Sequence, residues 1–283
     1  HTSRGPVRGA AAVIAGTLDT LQAFPDRRLL PEDIIWCGDD AAGYLSSHRI
    51  IAPATHLGPS ALGPPTGRAI TFRAIADCLC RDNRIVEEWL VRDTAGIAVQ
   101  LGLDPGAVGA QHAASAMQAE APWHLAAFAS LQADGGLRAA VHHDHPAALL
   151  VRETLAALFG AAELDRVREA YHPAASVAVP GALTLVGHEQ LWRWLFGLLA
   201  AFPDARIAVE HSIANGDARY ARVSTRWWLW GTHAGHGRFG SPSGAPVVLL
   251  GITHSDIVDG RIRYEWTVAD EIALHAQIAH HRG

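Results

Sequence analysis

The chain has 283 residues, room for one large or two small domains, and its 49% apolar residues are spread along its whole length, as in a globular protein. A formal charge of −5, with both signs interspersed, argues against nucleic acid or an anionic membrane surface as the main partner. No lysine occurs, which excludes Schiff-base catalysis by a lysine amine.

In chain order, an amphipathic helix leads into Phe24-Pro25-Asp26, and Gly38-Asp39 marks a turn. Cys37, Cys78 and Cys80 are the three cysteines. With none in the second half, they fit buried thiols in a reducing cytosol better than a disulfide framework. Cys78 and Cys80 would share one face of a strand, and no metal is expected there. Residues 94–145 read as a connection, with an Ala-rich helical stretch, Gly135-Gly136 and the run His142-His143-Asp144-His145-Pro146. That run offers ligand side chains, but without a second cluster at ligand spacing it reads as a solvated linker.

Helical spacing follows over 147–159 and 162–171, with Pro173 ending the second helix. A short strand is predicted near Ser176–Val179, a turn at Pro180-Gly181, and a third helix over 188–202, ended by Pro203. Strands are predicted near 207–214, 219–231, 246–258 and 261–269, with Asp259-Gly260 as a type I′ hairpin signal. Leu191 to Phe202, the longest apolar stretch, is short and holds Arg193, so no segment spans a bilayer. No signal peptide is visible. Met117 is the only methionine, so His1 reads as a start left after something upstream was removed or replaced.

The chain repeats itself. Phe24-Pro25-Asp26 recurs as Phe202-Pro203-Asp204, at an offset of 178. The offset then becomes 177, and 15 of the 46 positions between 48 and 93 are identical without a gap. They include Thr55-His56 with Thr232-His233, Gly58 with Gly235, Arg84-Ile85 with Arg261-Ile262, Glu88-Trp89 with Glu265-Trp266, and Asp93 with Asp270. The predicted domains are residues 1–135, one unit plus a linker helix, and 146–283, a complete unit. By offset, the first copy's two opening helices and first strand fall before about residue 4, so that copy reads as N-terminally incomplete. Helices first and then an antiparallel meander is an α+β pattern.

Phe-Pro-Asp, Gly-Asp, Thr-His-x-Gly, Pro-[Thr/Ser]-Gly and the stretch from Asp82 or Asp259 through Glu-Trp to Asp93 or Asp270 together resemble the SnoaL-like polyketide cyclase family. The resemblance covers most of 8–105 and 146–278. It implies the cone-shaped fold of the nuclear-transport-factor-2-like (cystatin-like) superfamily, a curved antiparallel sheet wrapped on helices around one pocket. It also implies chemistry without a cofactor on a small organic substrate. Characterised members cyclise polyketide esters by an intramolecular aldol step, and related folds isomerise, dehydrate or open epoxides. Members are commonly single units that assemble as oligomers, so the tandem chain is expected to form an intramolecular pseudo-dimer, sheet to sheet, with a further homodimer left open.

Strict alternation along the last strand puts Ile262, Tyr264, Trp266, Val268 and Asp270 on one face, and Ile85, Glu87, Trp89, Val91 and Asp93 on its counterpart. A carboxylate ending such a row in a pocket is a candidate general base, and the resemblance points to Asp270 and Asp93 as well. Either aspartate also suits a cap of the following helix, and the roles can coexist. Asp270 is expected to matter more. His233, His56 and His172 are candidates for orienting or polarising a substrate carbonyl, against the plainer reading of satisfied core histidines. Trp266, Tyr264, Trp89, Trp192 and Trp228 are expected to contact a flat, apolar substrate. Trp194, Trp227 and Trp230 add to the second copy's tryptophans and favour it as the site. Glu88 and Glu265 fall on the opposite face and read as structural partners of Arg84 and Arg261. His254 faces away from Asp270. The literal G-x-G-x-x-G at Gly235 to Gly240 lies between strands with no following helix, so it is not a dinucleotide loop. The sequence thus predicts acid–base chemistry of the cyclase or isomerase kind. A hydrolase or dehydratase, or a binding protein without catalysis, stands as the alternative.

Overall fold

The computed structural model describes residues 5–116, 122–136 and 140–282; His1 and Met117 lie outside the described residues. The first repeat comprises α1 (Ala10–Ala23), β1 (Leu30–Asp39), β2 (Gly43–Thr55), β3 (Ala69–Arg81), β4 (Arg84–Arg92) and α2 (Thr94–Gln100). A connection follows through α3 (Pro105–Ala116), α4 (Trp123–Asp134) and β5 (Val141–His142). The second repeat has α5 (Pro146–Gly160), α6 (Arg166–Ala170), β6 (Tyr171–Val179), β7 (Leu183–Val186), α7 (Gly187–Ala201), β8 (Arg206–Gly216), β9 (Tyr220–Thr232), β10 (Pro246–Val258), β11 (Arg261–Ala269) and α8 (Glu271–His281). The strands form a four-stranded sheet in the order β1-β2-β3-β4 and a seven-stranded one in the order β5-β8-β9-β10-β11-β6-β7. The fold is α+β, with helices laid on antiparallel meanders.

The repeated motifs build the same corner twice. Phe24 and Phe202 pack on His56 and His233, with ring centroids 5.3 and 5.5 Å apart. The Asp26 and Asp204 carboxylates accept the Thr55 and Thr232 N–H groups at 2.8 and 2.7 Å. Gly58 and Gly235 have no room for a Cβ, which would overlap the carbonyl oxygen of Gln22 or Ala200 at the end of α1 or α7. The hairpin turns carry positive φ at Asp82 and Asn83 (49° and 55°) and at Asp259 and Gly260 (46° and 76°), as type I′ requires.

Two local expectations are corrected. The helix predicted over 162–171 is only the short α6, and β6 starts at Tyr171, five residues earlier than the short strand read from sequence. Pro173 falls where the parallel pairing of β6 with β11 shifts register between Ile262 and Tyr264, so it interrupts a ladder rather than ending a helix. The His-rich run is a connector: the His142 imidazole bonds the Val209 carbonyl, and His145 caps α5 by accepting the Ala147 N–H. Among the described residues no group of three or more metal-binding side chains occurs, and no helix is long and apolar enough to cross a membrane.

The faces of the last strands are also corrected. Each carries one extra residue in its pairing with the strand before it. Asp256 pairs with Tyr264 but Ile257 with Ile262, and Leu79 pairs with Glu87 but Cys80 with Ile85. A one-residue bulge reverses the side chains beyond it. Ile262 therefore joins the second unit's core, while Trp266 and Val268 turn away from it. Glu265, Thr267 and Ala269 line the interior instead.

The faces turned outward by the bulges meet each other. Ile75 and Val91 of the first sheet cluster with Trp228, Trp230, Val248, Leu250, Ile252 and Val268 of the second. Contacts at equivalent repeat positions cross in both directions, as in a two-fold interface. The Arg49 guanidinium lies 3.5 Å from the Trp266 ring centre, and Arg226 lies 4.6 Å from that of Trp89. Asp77 accepts from the His211 Nδ1 at 2.9 Å and from an Arg226 nitrogen at 3.0 Å.

Candidate functional site

The second unit has a complete interior. α5 and α7 cover the inner face of its sheet, and Leu155, Leu158, Phe159, Leu191, Leu195 and Trp227 wall a cavity with about 40 Å3 of free space. That is room for about one to three waters. Tyr171, Thr253, Glu265, Thr267 and Glu271 supply its polar lining.

Glu265 is the group this interior is organised around. It is 8% exposed and accepts from the Tyr171 hydroxyl at 3.0 Å and the Ser255 hydroxyl at 3.2 Å. Burial pushes its carboxyl up to about 7, although the neighbouring Tyr171, Ser255 and Thr267 hydroxyls favour the charged form. Burial and the neighbouring Glu265 likewise raise the Tyr171 phenol well above its ordinary range. Glu265 was expected to pair with Arg261, but Arg261 bonds the backbone carbonyls of Arg168 and Tyr171.

The aspartates are helix caps. Asp270 accepts the Ala273 N–H at the start of α8 and is bonded by the Thr94 hydroxyl. Asp93 accepts the Gly96 N–H at 2.8 Å at the start of α2, and the Gly181 and Ala182 N–H groups at 2.9 Å each. It thereby ties the first unit to the turn between β6 and β7, next to Pro180, which lines the cavity. Burial raises both carboxyls, opposed by these hydrogen bonds.

The remaining predicted site residues are scattered. His233 and His56 are buried in the repeated corners, where their Nδ1 atoms meet the Ser243 and Thr66 hydroxyls at 3.0 and 3.3 Å. His172 accepts the Ala174 N–H at the start of β6, and its neighbour Tyr171 takes the inward position. Trp266, Trp89 and Trp228 lie between the sheets; Trp89 and Trp228 meet edge to face at 6.2 Å. Tyr264 stacks on Trp266 and is 41% exposed. Trp192 stacks on Phe196 along the outside of α7. Of the tryptophans, Trp227 and Trp194 line the cavity. His254 is buried against Ser47 of the first unit, 2.8 Å away.

Sequence reasoning missed Glu265 and Tyr171. A signal was present. The second copy puts hydroxyls at Thr253, Ser255 and Thr267, where the first has Ala76, Cys78 and Leu90, around a glutamate that both copies keep.

An α+β cone with one enclosed, partly polar interior is the class that the fold and site define. The chain belongs to the SnoaL-like polyketide cyclase family, whose family model matches residues 1–101 and 149–278. No curated protein matches it. Among solved structures, it is similar to a protein described as a SnoaL-like polyketide cyclase from Jannaschia sp. CCS1, at 22% identity and a TM-score of 0.40, over 49% of this chain and 98% of that one. It is also similar to IdmH, described as a polyketide cyclase from Streptomyces antibioticus, at 24% identity and a TM-score of 0.41, over 47% of this chain and 99% of that one. TsrD from Streptomyces laurentii is similar at 19% identity and a TM-score of 0.43, over 49% and 98%.

Proposed function

We propose that the second unit is an acid–base catalyst of the cyclase or isomerase kind that acts on a small, largely apolar carbonyl compound with its own side chains. Glu265 takes the proton. The carrying observation is a buried carboxyl at about 7, held by the Tyr171 and Ser255 hydroxyls beside a largely apolar cavity. Such a group is part-ionised near neutral pH and stronger as a base than an exposed glutamate. Tyr171 is the nearest acid to Glu265 and the candidate to return a proton. The first unit, residues 1–135 in this reading, is scaffold. Asp93 and Asp270 cap helices, and His233 and His56 hold loops.

The small free volume favours a second reading, in which the cone holds a small ligand without turning it over. Exchange in heavy water separates the two. Small β-keto esters and ketones incubated with the protein should gain deuterium alpha to the carbonyl, followed by NMR, and Glu265→Gln should abolish the gain. Binding without exchange in the parent protein would favour the second reading.

A further inference from the structure

One section of the cavity wall is held from the other unit. β7 is the last strand of the seven-stranded sheet, and the turn between β6 and β7, 180–182, brings Pro180 into the cavity lining. Gly181 and Ala182 both take positive φ, 91° and 59°. Glycine does so freely, but an alanine is strained there. Asp93 of the first unit fixes this turn. Its Oδ1 accepts the Gly181 N–H and its Oδ2 the Ala182 N–H, at 2.9 Å each, while Oδ1 also accepts the Gly96 N–H at 2.8 Å. The approach is close enough to require a glycine at 96. A Cβ there would lie 2.3 Å from the Asp93 Oδ2 and 2.8 Å from the Ala182 nitrogen.

This end of the cavity lies next to the surface. Ala182 is exposed, and the Arg238 side chain, 26% exposed, pairs with Glu271 and lies over Trp194, its guanidinium carbon 4.8 Å from the ring centre. Glu271 and Trp194 both line the cavity. Burial lowers the Arg238 guanidinium to about 10, and the Asp93 charge opposes the fall. Asp93 thus acts on the turn through hydrogen bonds and on Arg238 through its charge.

From this geometry we propose that Asp93 is a positioning residue for the second unit: it holds the turn that closes the mouth of the cavity, and thereby governs how substrate and water reach Glu265. This inference rests on the acid–base reading of the cavity and gives the first unit a part in the reaction. The free space of about 40 Å3 holds about one to three waters, so a carbonyl substrate enters only when part of the wall gives way. α5 and α7 are anchored in the core from Ala147 to Phe159 and from Leu191 to Ala201, whereas Leu183 and Val186 of β7 are exposed. The β6–β7 turn is therefore the wall section most dependent on a tie from outside its own unit. Asp270, at the equivalent repeat position, bonds the Ala273 N–H and the Thr94 hydroxyl and holds no such turn. Control runs one way, from the first unit to the second.

The test changes the tie and reads the distant carboxyl. Asp93→Asn keeps the side chain's shape but sets an amide NH2 against the Ala182 N–H. Gly96→Ala presses on the same turn with no change of charge, should Asp93→Asn fail to fold. Asp26→Asn weakens the first unit at the Thr55 corner, away from the turn, and controls for stability alone. Glu265 is titrated by carbon NMR in protein labelled at glutamate carboxyls, with Glu265→Gln to assign the signal. A freed turn admits water, so the Glu265 midpoint should fall by about half a unit or more in Asp93→Asn and Gly96→Ala. The preference for short over long β-keto esters, read as kcat/KM for exchange, should narrow by about tenfold, the scale of one methylene in a tight pocket. Asp26→Asn should move neither. A parent midpoint near 7 that stays put in the folded turn variants overturns this inference and leaves the acid–base reading standing, and so does an equal fall in Asp26→Asn. A parent midpoint in the ordinary carboxylate range overturns the reading and this inference together.

Discussion

Glu88 and Glu265 stand at the same place in the two units, one residue before a tryptophan on the last strand, and face the same side of their sheets. In the second unit α5 and α7 cover that side, and β6 brings the Tyr171 hydroxyl to the carboxyl. The first unit's inner face is covered at one end, where α1 and α2 pack on Ala52, Ala54, Ile70 and Phe72. Towards the other end of that sheet Ile34, Trp36, Tyr44 and Ile85 are exposed, and so is Glu88. The same carboxylate is thus desolvated in one unit and hydrated in the other. Cover over the sheet, more than the strand sequence, decides whether this glutamate can do chemistry.

Exchanging each glutamate for its amide should give the widest gap between the units. Glu265→Gln is expected to lower the rate of substrate exchange or turnover by about 10²- to 10⁴-fold, the scale of a lost general base. Glu88→Gln should leave it unchanged. Equal losses in a rate assay beside thermal melts would remove the distinction.

The next effect concerns the asymmetric contact between units, where Asp77 and His254 occupy equivalent positions. Burial raises the Asp77 carboxyl, but His211 and Arg226 outweigh it and hold it at about 2. Burial pushes His254 down to about 3, with the Arg49 charge adding to it. Asp77→Ala strands Arg226 and His211 and should cost about 3–5 kcal/mol in denaturant unfolding. His254→Ala removes a neutral partner of Ser47 and should cost less, about 1–3 kcal/mol.

The pH dependence of stability should also mark the second unit. Glu265 binds its proton more tightly when folded (about 7) than at its ordinary value of 4.5. The stability this adds is fully present below about pH 4.5 and is lost as pH rises through about 7. Against the parent, Glu265→Gln should therefore gain on the order of 3 kcal/mol in relative stability between pH 4.5 and pH 8. Paired denaturant curves at the two pH values check it, and a constant difference would contradict the assigned burial.

The smallest expected contrast is between the caps. Asp270→Ala should cost about 1 kcal/mol, as for a lost N-cap. Asp93→Ala should cost about 2 kcal/mol, because the Gly181 and Ala182 N–H groups lose their acceptor too. Melting temperatures at matched concentration rank them, and the reverse order would count against Asp93 as the tie between the units.

Much of the architecture was legible because the second copy announces its elements. Leu, Val and Ala recur at helical spacing over α5 and α7, Pro203 ends α7, and Asp259-Gly260 makes the last turn. The site was not legible from alternation, for two physical reasons. A single bulge at Arg263 reverses every side chain after Ile262, and it leaves no composition signal. Both faces of the second sheet are buried, one under helices and one under the first sheet, so Trp227 and Trp228 look alike in sequence though they point opposite ways. Similarly, the repeated histidines and aspartates drew attention because both copies keep them. Those histidines and aspartates belong to the corners and caps that fold each unit; the glutamate is kept by both copies as well, and it is the hydroxyls around it, at Thr253, Ser255 and Thr267, in which the copies differ.

One titration tests Glu265 as the base most directly. In the intact protein, the carboxyl carbon of Glu265 should move through its midpoint near pH 7, a signal that Glu265→Gln removes. A midpoint near 4.5, the value of an ordinary exposed glutamate, would contradict it.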